Sequence, residues 1–343
     1  MCKKADAFFY SKNLKTSVKK PKEFNHFMLK EILETKQEMV KNLSFYSINN
    51  NRPKEFTKQL QKADRVQIFA PNELFYVSVF CKNALKTKFL KQVEIVKFDD
   101  KNQQFLFNEK DDISIFLLSK EEPCFIDKLN TRKVVFYNCS DKICNNNFDL
   151  SFPVFVDKEE IKILSKTLLV FAFVFLLSLF GCDIESLSSA KIACDAIDDF
   201  DIIQVVDFSR RIAKTNSLSL VGKGELCCFD LVFDFFKKIT NLSLNKTIDI
   251  PKCCDDILSD SYLFFLKEES DLRIFNDNLF CLKNLGANFF SLIKTKEAFD
   301  DESNVVLLNN NLGLFVEIVF VFYIQLTAFY VSLFQGKNPD LIV

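Results

Sequence analysis

The sequence predicts an α/β protein built of two tandem doubly wound parallel-sheet units preceded by an amphipathic helix. Short apolar runs rich in Val, Ile and Phe alternate with helix-length segments through both halves, the pattern of strands joined by crossover helices. The order of these segments in the first half returns in the second, as in a duplication. Each half also closes on a very apolar stretch of several helical turns, "IKILSKTLLVFAFVFLLSLFG" at 161–181 and "FVEIVFVFYIQLTAFYVSLFQGKNPD" at 315–340.

Residues 1–23 are Lys-rich with little apolar pattern and are expected to form a mobile basic arm. An N-terminal helical segment, 24–63, follows. In "HFMLKEILETKQEMVKNL" the residues Leu29, Ile32, Leu33, Val40 and Leu43 recur at helical spacing, with charges expected on the opposite face. "INNNRP" stops this helix and "KEFTKQLQKAD" starts a shorter one. The first sheet unit, 64–182, contains the strand runs "RVQIFA", "QVEIVKF", "ISIFLLS", "KVVFYNC" and "FPVFVD", with the helical "LFYVSVFCKNALKTKF" after the first. A more charged connector with helical patches, 183–216, leads to the second unit, 217–343. There "SLSLVGKG" is a strand ending in a turn, "LCCFDLVFDFFKKITNL" a helix, and "YLFFLKE", "NFFSLIK" and "NVVLLN" buried strands.

A chain of 343 residues with 27% charged and 48% apolar residues has a globular balance and room for two cores. Its formal net charge of -1 supplies no basic field, so no nucleic-acid partner is expected. The 41 Phe beside 0 Trp and 6 Gly read as compositional bias rather than a base-stacking array. Twelve Cys without an apolar signal core at the start point to free thiols in a cytoplasmic protein. The pairs Cys227/Cys228 and Cys253/Cys254 are adjacent rather than spaced as a metal knuckle, and no metal or cofactor is expected. With His26 as the single histidine, chemistry that needs two is excluded.

Three features carry a resemblance. "HFMLKEILETKQEMVKNL" resembles the helix that opens the isomerase half of glutamine:fructose-6-phosphate aminotransferases, HxMxKEIxEQ. "VGKGE" resembles the GRG turn of their second sugar-isomerase (SIS) unit, and "YIQLTAFYVSLFQGKNPD" their closing PLQLLAYHxAxxxGxxPD. The order and spacing fit over residues 24–340. The resemblance implies a pair of SIS units binding a phosphosugar at the C-terminal ends of strands, where helix N-termini and hydroxyls receive a phosphate. The family's CGTSY, SQSGET and STK turns correspond to "APNELFY", "LSKEEP" and "LSKT". Pro71, Asn72 and Glu73 replace a flexible donor and hydroxyls, and Glu73, Glu121 and Glu122 each disfavour a phosphate by on the order of 1 kcal/mol. Ser119, Ser165, Lys166 and Thr167 remain as the expected phosphosugar contacts.

The resemblance also says what chemistry to look for. The family's base is a Glu in a KxKEI motif, and this chain offers Lys238 or Ile239 there. The ring-opening His belongs to GELKHGP, where the chain reads "DIPKCCDDI"; His26 lies far off and is expected to pack rather than catalyse. The Schiff-base lysine follows the PD of the closing helix, but the sequence ends at "PDLIV". Asp255, Asp256 and Lys238 are read as solvated charges and Cys2 as a coincidence of position, so no catalytic residue is expected. The expectation is a diverged SIS protein with impaired catalysis, binding a hexose phosphate in amino-sugar metabolism, as a homodimer or paired with an active homologue. Two alternatives stand beside it. One is an active ammonia-dependent isomerase making glucosamine 6-phosphate from fructose 6-phosphate. The other is a membrane protein with spans at Ile163–Cys182 and Leu312–Phe334.

Overall fold

The computed structural model describes residues 26–49, 51–97, 109–118, 123, 125–139, 147–157, 159, 165–198, 202–222, 235–247, 261–266, 288–293, 305–307 and 312–341. The chain opens with helices α1 (Phe27–Ile48) and α2 (Asn51–Lys62), which meet at the Asn-rich stop read from the sequence. Pro53 sits in the first turn of α2, where a missing N–H breaks no intrahelical bond. Then come β1 (Arg65–Ala70), α3 (Phe75–Phe89), β2 (Gln92–Lys97), β3 (Ile113–Leu118), β4 (Arg132–Asn138), β5 (Leu150–Val154) and α4 (Ser165–Leu179). The segment expected as a connector folds as α5 (Ile184–Asp198) and α6 (Ile202–Ile212), both with buried apolar faces. The second half contains β6 (Ser217–Gly222), a helical stretch at 235–239, β7 (Ser243–Thr247), β8 (Ser261–Leu266), β9 (Asn288–Ile293), β10 (Val305–Leu307) and α7 (Val316–Phe334). Residues 1–23, the Cys227/Cys228 and Cys253/Cys254 pairs, and Asp255 and Asp256 lie outside the described residues.

Two five-stranded sheets result, ordered β2-β1-β3-β4-β5 and β7-β6-β8-β9-β10, and every strand pair is parallel. In each, the first strand has the second on one side and the third on the other, so the chain reverses its direction of growth beside that strand. Crossovers that diverge in this way leave a crevice at the strands' C-terminal ends. β3 is buried along its whole length, which explains why "ISIFLL" is apolar at every position but Ser114 rather than alternating.

Alternation across the first sheet sorts its Phe residues into two layers. On one face Phe136 and Phe152 stack with ring centroids 4.7 Å apart, and Phe56 of α2 and Phe175 of α4 close on them at 5.8 and 5.4 Å from Phe136. On the other, Phe69 and Phe116 stack at 4.9 Å, with Phe125 beside them. The abundant Phe thus fills core. A polar line crosses the same sheet: Gln67 donates to Ser114 Oγ at 2.8 Å, and Ser114 is bonded in turn to Thr131. At the sheet's N-terminal edge Arg65 grips buried Asp112 through two hydrogen bonds of 2.9 Å.

Helix α7 passes the length and hydropathy test for a membrane span, yet 94% of its most apolar stretch is buried inside the protein. It packs against α1, α4, α5 and α6, which places it as a core helix and removes the surface that a lipid would need. The residues just past it close the fold. Asp340 accepts the backbone N–H groups of Phe27 at 3.1 Å and Met28 at 2.9 Å, and lies 3.1 Å from Nδ1 of His26. A carboxylate thus caps a helix N-terminus that has no acidic residue in its own first turn. His26 packs edge-on against Phe329 as part of this clasp.

Asp340→Ala is expected to lower stability by about 1–2 kcal/mol, and Asp340→Asn, which keeps one acceptor, by less. Urea denaturation of the three chains checks this; equal midpoints would mean that the clasp contributes nothing.

Candidate functional site

The crevice that the strand order places at the C-terminal ends of β1 and β3 is bordered by the turn 71–74 and the first turn of α3, which follow β1. The first of these is already satisfied from within. Pro71 enters it in extended conformation, Leu74 N–H donates to Pro71 O at 3.0 Å, and Phe75 N–H donates to Asn72 O. Glu73 stands exposed on it. Such a turn offers a phosphate fewer backbone donors than a Gly-rich one, and it adds a negative charge.

The four expected phosphosugar contacts fare differently. Ser119, like Glu121 and Glu122, lies outside the described residues. Ser165 is the first residue of α4. Lys166 is buried, 1% exposed, with its ammonium 3.1 Å from Oε2 of Glu34 on α1. Thr167 is also buried, and its backbone N–H donates at 2.7 Å to Oε1 of Glu159. The structure therefore brings Ser165, Lys166 and Thr167 together at one helix end, and gives Lys166 and the Thr167 N–H acceptors from the chain itself.

Glu159 was not among the residues singled out from the sequence, and neither was the α1 stripe opposite it. Glu31, Thr35, Glu38 and Asn42 recur at helical spacing and are all buried, which corrects the expectation that the charges of α1 face away from the core. Asn42 explains part of this stripe. Its amide donates to Phe155 O at 2.7 Å and accepts from Phe155 N–H at 2.9 Å, pinning the chain just after β5. Regular i, i+4, i+7 spacing of polar residues was the available signal. It reads equally well as a solvated face, and only the packing of α4 on α1 decides between the two.

The electrostatics follow from the burial. Desolvation, then the nearby Glu31 carboxyl, pushes Glu159 up to about 8, against the lowering effect of the Thr167 N–H. Burial and then Asp157 likewise raise Glu38 above the ordinary carboxylate range. The thiols of Cys182 and Cys194 are pushed up to about 12, chiefly by burial, and so are poor nucleophiles. Among the described residues no group of His, Cys, Asp and Glu is arranged to hold a metal ion.

The helical stretch at 235–239 gives Lys238 and Ile239 opposite surroundings. Ile239 is buried and Lys238 exposed, with its ammonium 5.9 Å from the centre of the Tyr76 ring at the start of α3. The second half thus presents a cation beside the first unit's crevice. A second lysine, Lys97, lies 4.1 Å over the neighbouring Phe75 ring.

A carboxyl that is neutral in the folded state and ionised in the unfolded one makes stability depend on pH. For Glu159 the unfolded chain releases its proton near 4.5 and the folded chain near 8, so its contribution is intact below pH 4.5 and is lost as pH rises toward 8. Glu159→Gln keeps an acceptor for Thr167 and removes this titration. The variant is expected to gain stability relative to the native chain between pH 5 and 8, read from urea midpoints at both values. Parallel profiles would contradict the assignment.

No protein-family model and no curated protein sequence matches the chain, whereas solved structures do. The C-terminal domain of glucosamine-fructose-6-phosphate aminotransferase from Francisella tularensis superposes with a TM-score of 0.67 at 12% identity, covering 94% of this chain and 99% of that one. Tagatose-6-phosphate ketose/aldose isomerase from Escherichia coli gives a TM-score of 0.70 at 13% identity, over 93% and 96% of the two chains. Glucosamine-6-phosphate deaminase from Thermotoga maritima gives 0.57 at 13%, over 92% and 96%. The chain thus has the two-sheet fold of the aminotransferase isomerase domain and of the ketose/aldose isomerase.

Proposed function

We propose that the chain binds a hexose phosphate of amino-sugar metabolism in the cytoplasm and does not turn it over, acting as a regulatory member of the SIS proteins. The observation that carries this reading is the charge at the first unit's crevice. The fold is that of the aminotransferase isomerase domain over nine-tenths of the chain, but where the resemblance expects that family's base this chain offers Lys238 or Ile239, and the Lys238 ammonium lies 5.9 Å from the Tyr76 ring. Proton shuttling between two sugar carbons needs a positioned base, and neither a lysine nor an isoleucine supplies the carboxylate that the resemblance calls for. A cation beside half-buried aromatic rings, in contrast, suits the retention of an anionic sugar.

The phosphate's place in this reading is the N-terminal turn of α4, with Ser119, Ser165 and Thr167 as its hydroxyl contacts and Lys166 as the nearby charge. A regulatory role implies a partner, and the reading takes this to be a second copy or an active relative. The half-exposed Phe27 and Val40 of α1 support the pairing, because they leave apolar surface outside the fold.

Fructose 6-phosphate and glucosamine 6-phosphate at millimolar concentration are expected to raise the melting temperature, as any ligand selective for the folded state does. Incubation of fructose 6-phosphate with ammonia is expected to yield no glucosamine 6-phosphate. Product formation at a rate proportional to protein concentration would replace this reading with that of an active isomerase. No thermal shift with either sugar would remove the ligand.

A further inference from the structure

Helix α4 begins, as every helix does, with N–H groups that its own turn cannot satisfy. A helix is ordinarily capped by the Ser, Thr, Asp or Asn immediately before its first turn. Here the acceptor for Thr167 N–H is Oε1 of Glu159, at 2.7 Å and eight positions upstream. The second oxygen of that carboxyl, Oε2, is buried and has no hydrogen-bond partner among the described residues, and the residue as a whole is 8% exposed. A cap needs one oxygen. A buried second oxygen without a partner is a cost that capping does not explain.

The surroundings make the arrangement costlier still. The Glu31 carboxyl of α1 disfavours the charge on Glu159 more than the Lys166 ammonium, itself paired with Glu34, or either of the Lys166 and Thr167 backbone groups favours it. The carboxyl therefore stands where a multi-oxygen anion would gain from a helix N-terminus, held in a setting that disfavours its charged form. We propose that Glu159 is an internal occupant of the α4 N-terminal turn, an autoinhibitory contact that holds the donor a ligand's phosphate needs. Phosphate binds at this turn only when the Glu159 side chain is displaced. For the identity of its ligand this rests on the phosphosugar reading above.

The test is calorimetric titration of the native chain, Glu159→Ala and Glu159→Gln with inorganic phosphate and, separately, with fructose 6-phosphate. The alanine variant vacates the turn and removes a carboxyl, so both ligands are expected to bind at least about tenfold more tightly than to the native chain. The glutamine variant keeps an oxygen on Thr167 N–H and is expected to bind as weakly as the native chain. If Glu159→Ala does not fold, Glu159→Ser, too short to reach the turn, takes its place, with circular dichroism confirming the fold. A folded Ala or Ser variant that binds inorganic phosphate no better than the native chain overturns the proposal. Tight phosphate binding by the variant without affinity for fructose 6-phosphate supports the internal occupant and defeats the sugar reading. Equal binding of fructose 6-phosphate by native chain and variant leaves the sugar reading standing and defeats the occupant.

Discussion

Helix α7 is apolar on every side, and the need to cover every side of it is the constraint on which the rest of the fold depends. Of its residues from Val316 to Ser332, all are buried, Glu317 and Gln325 included. A helix with that surface must be surrounded, either by lipid or by protein, and here α1 and α4 from the first half and α5 and α6 between the halves surround it. The closing helix of the second half is therefore core for the first. It also fixes the start of α1, because Asp340, just past α7, caps that helix. Ser209 of α6 adds a hydrogen bond to Thr327 O within the same interface.

Once α1 and α4 are held against α7, they are held against each other, and the polar stripe of α1 is enclosed. Such enclosure is a poor route to stability. Buried carboxyls lose their hydration, and a neighbouring carboxyl worsens the loss. The structure offsets part of it locally: Asn42 satisfies both backbone groups of Phe155, Lys166 pairs with Glu34, and Glu159 takes the Thr167 N–H. The same contacts occupy the donors at the sheet's C-terminal edge. The turn after β1 bonds to itself, and the α4 turn bonds to Glu159. At these two turns backbone donors thus meet acceptors from the chain itself, Pro71 O and Asn72 O in one and Glu159 Oε1 in the other.

The sequence was most informative where one physical requirement dominates. Parallel strands buried on both faces must be largely apolar, so "RVQIFA" and "ISIFLL" were readable, as were the two apolar helices. β7 was missed because "SLNKT" is an edge strand with exposed and half-exposed positions and mixed polarity. The connector was read as patches because α5 carries its apolar residues at small side chains, Ala190, Ala193 and Cys194, which mark a close helix contact but give little hydropathy. The site was less legible still. Ser165, Lys166 and Thr167 were found as neighbours in sequence, but their acceptors, Glu34 and Glu159, come from a different helix and a separate loop. Pairings of that kind depend on tertiary packing and leave no local pattern.

Packing also decides which residue of "FFKKITN" faces the first unit. Sequence spacing allowed Lys238 or Ile239, and the two have opposite physical demands: a lysine ammonium must reach water or a counter-charge, while an isoleucine gains by burial. With Ile239 in the core together with Phe235 and Phe236, the helical repeat turns Lys238 outward toward Tyr76. The register of this short helix is thus fixed by its apolar side, and its polar side inherits the position at the crevice.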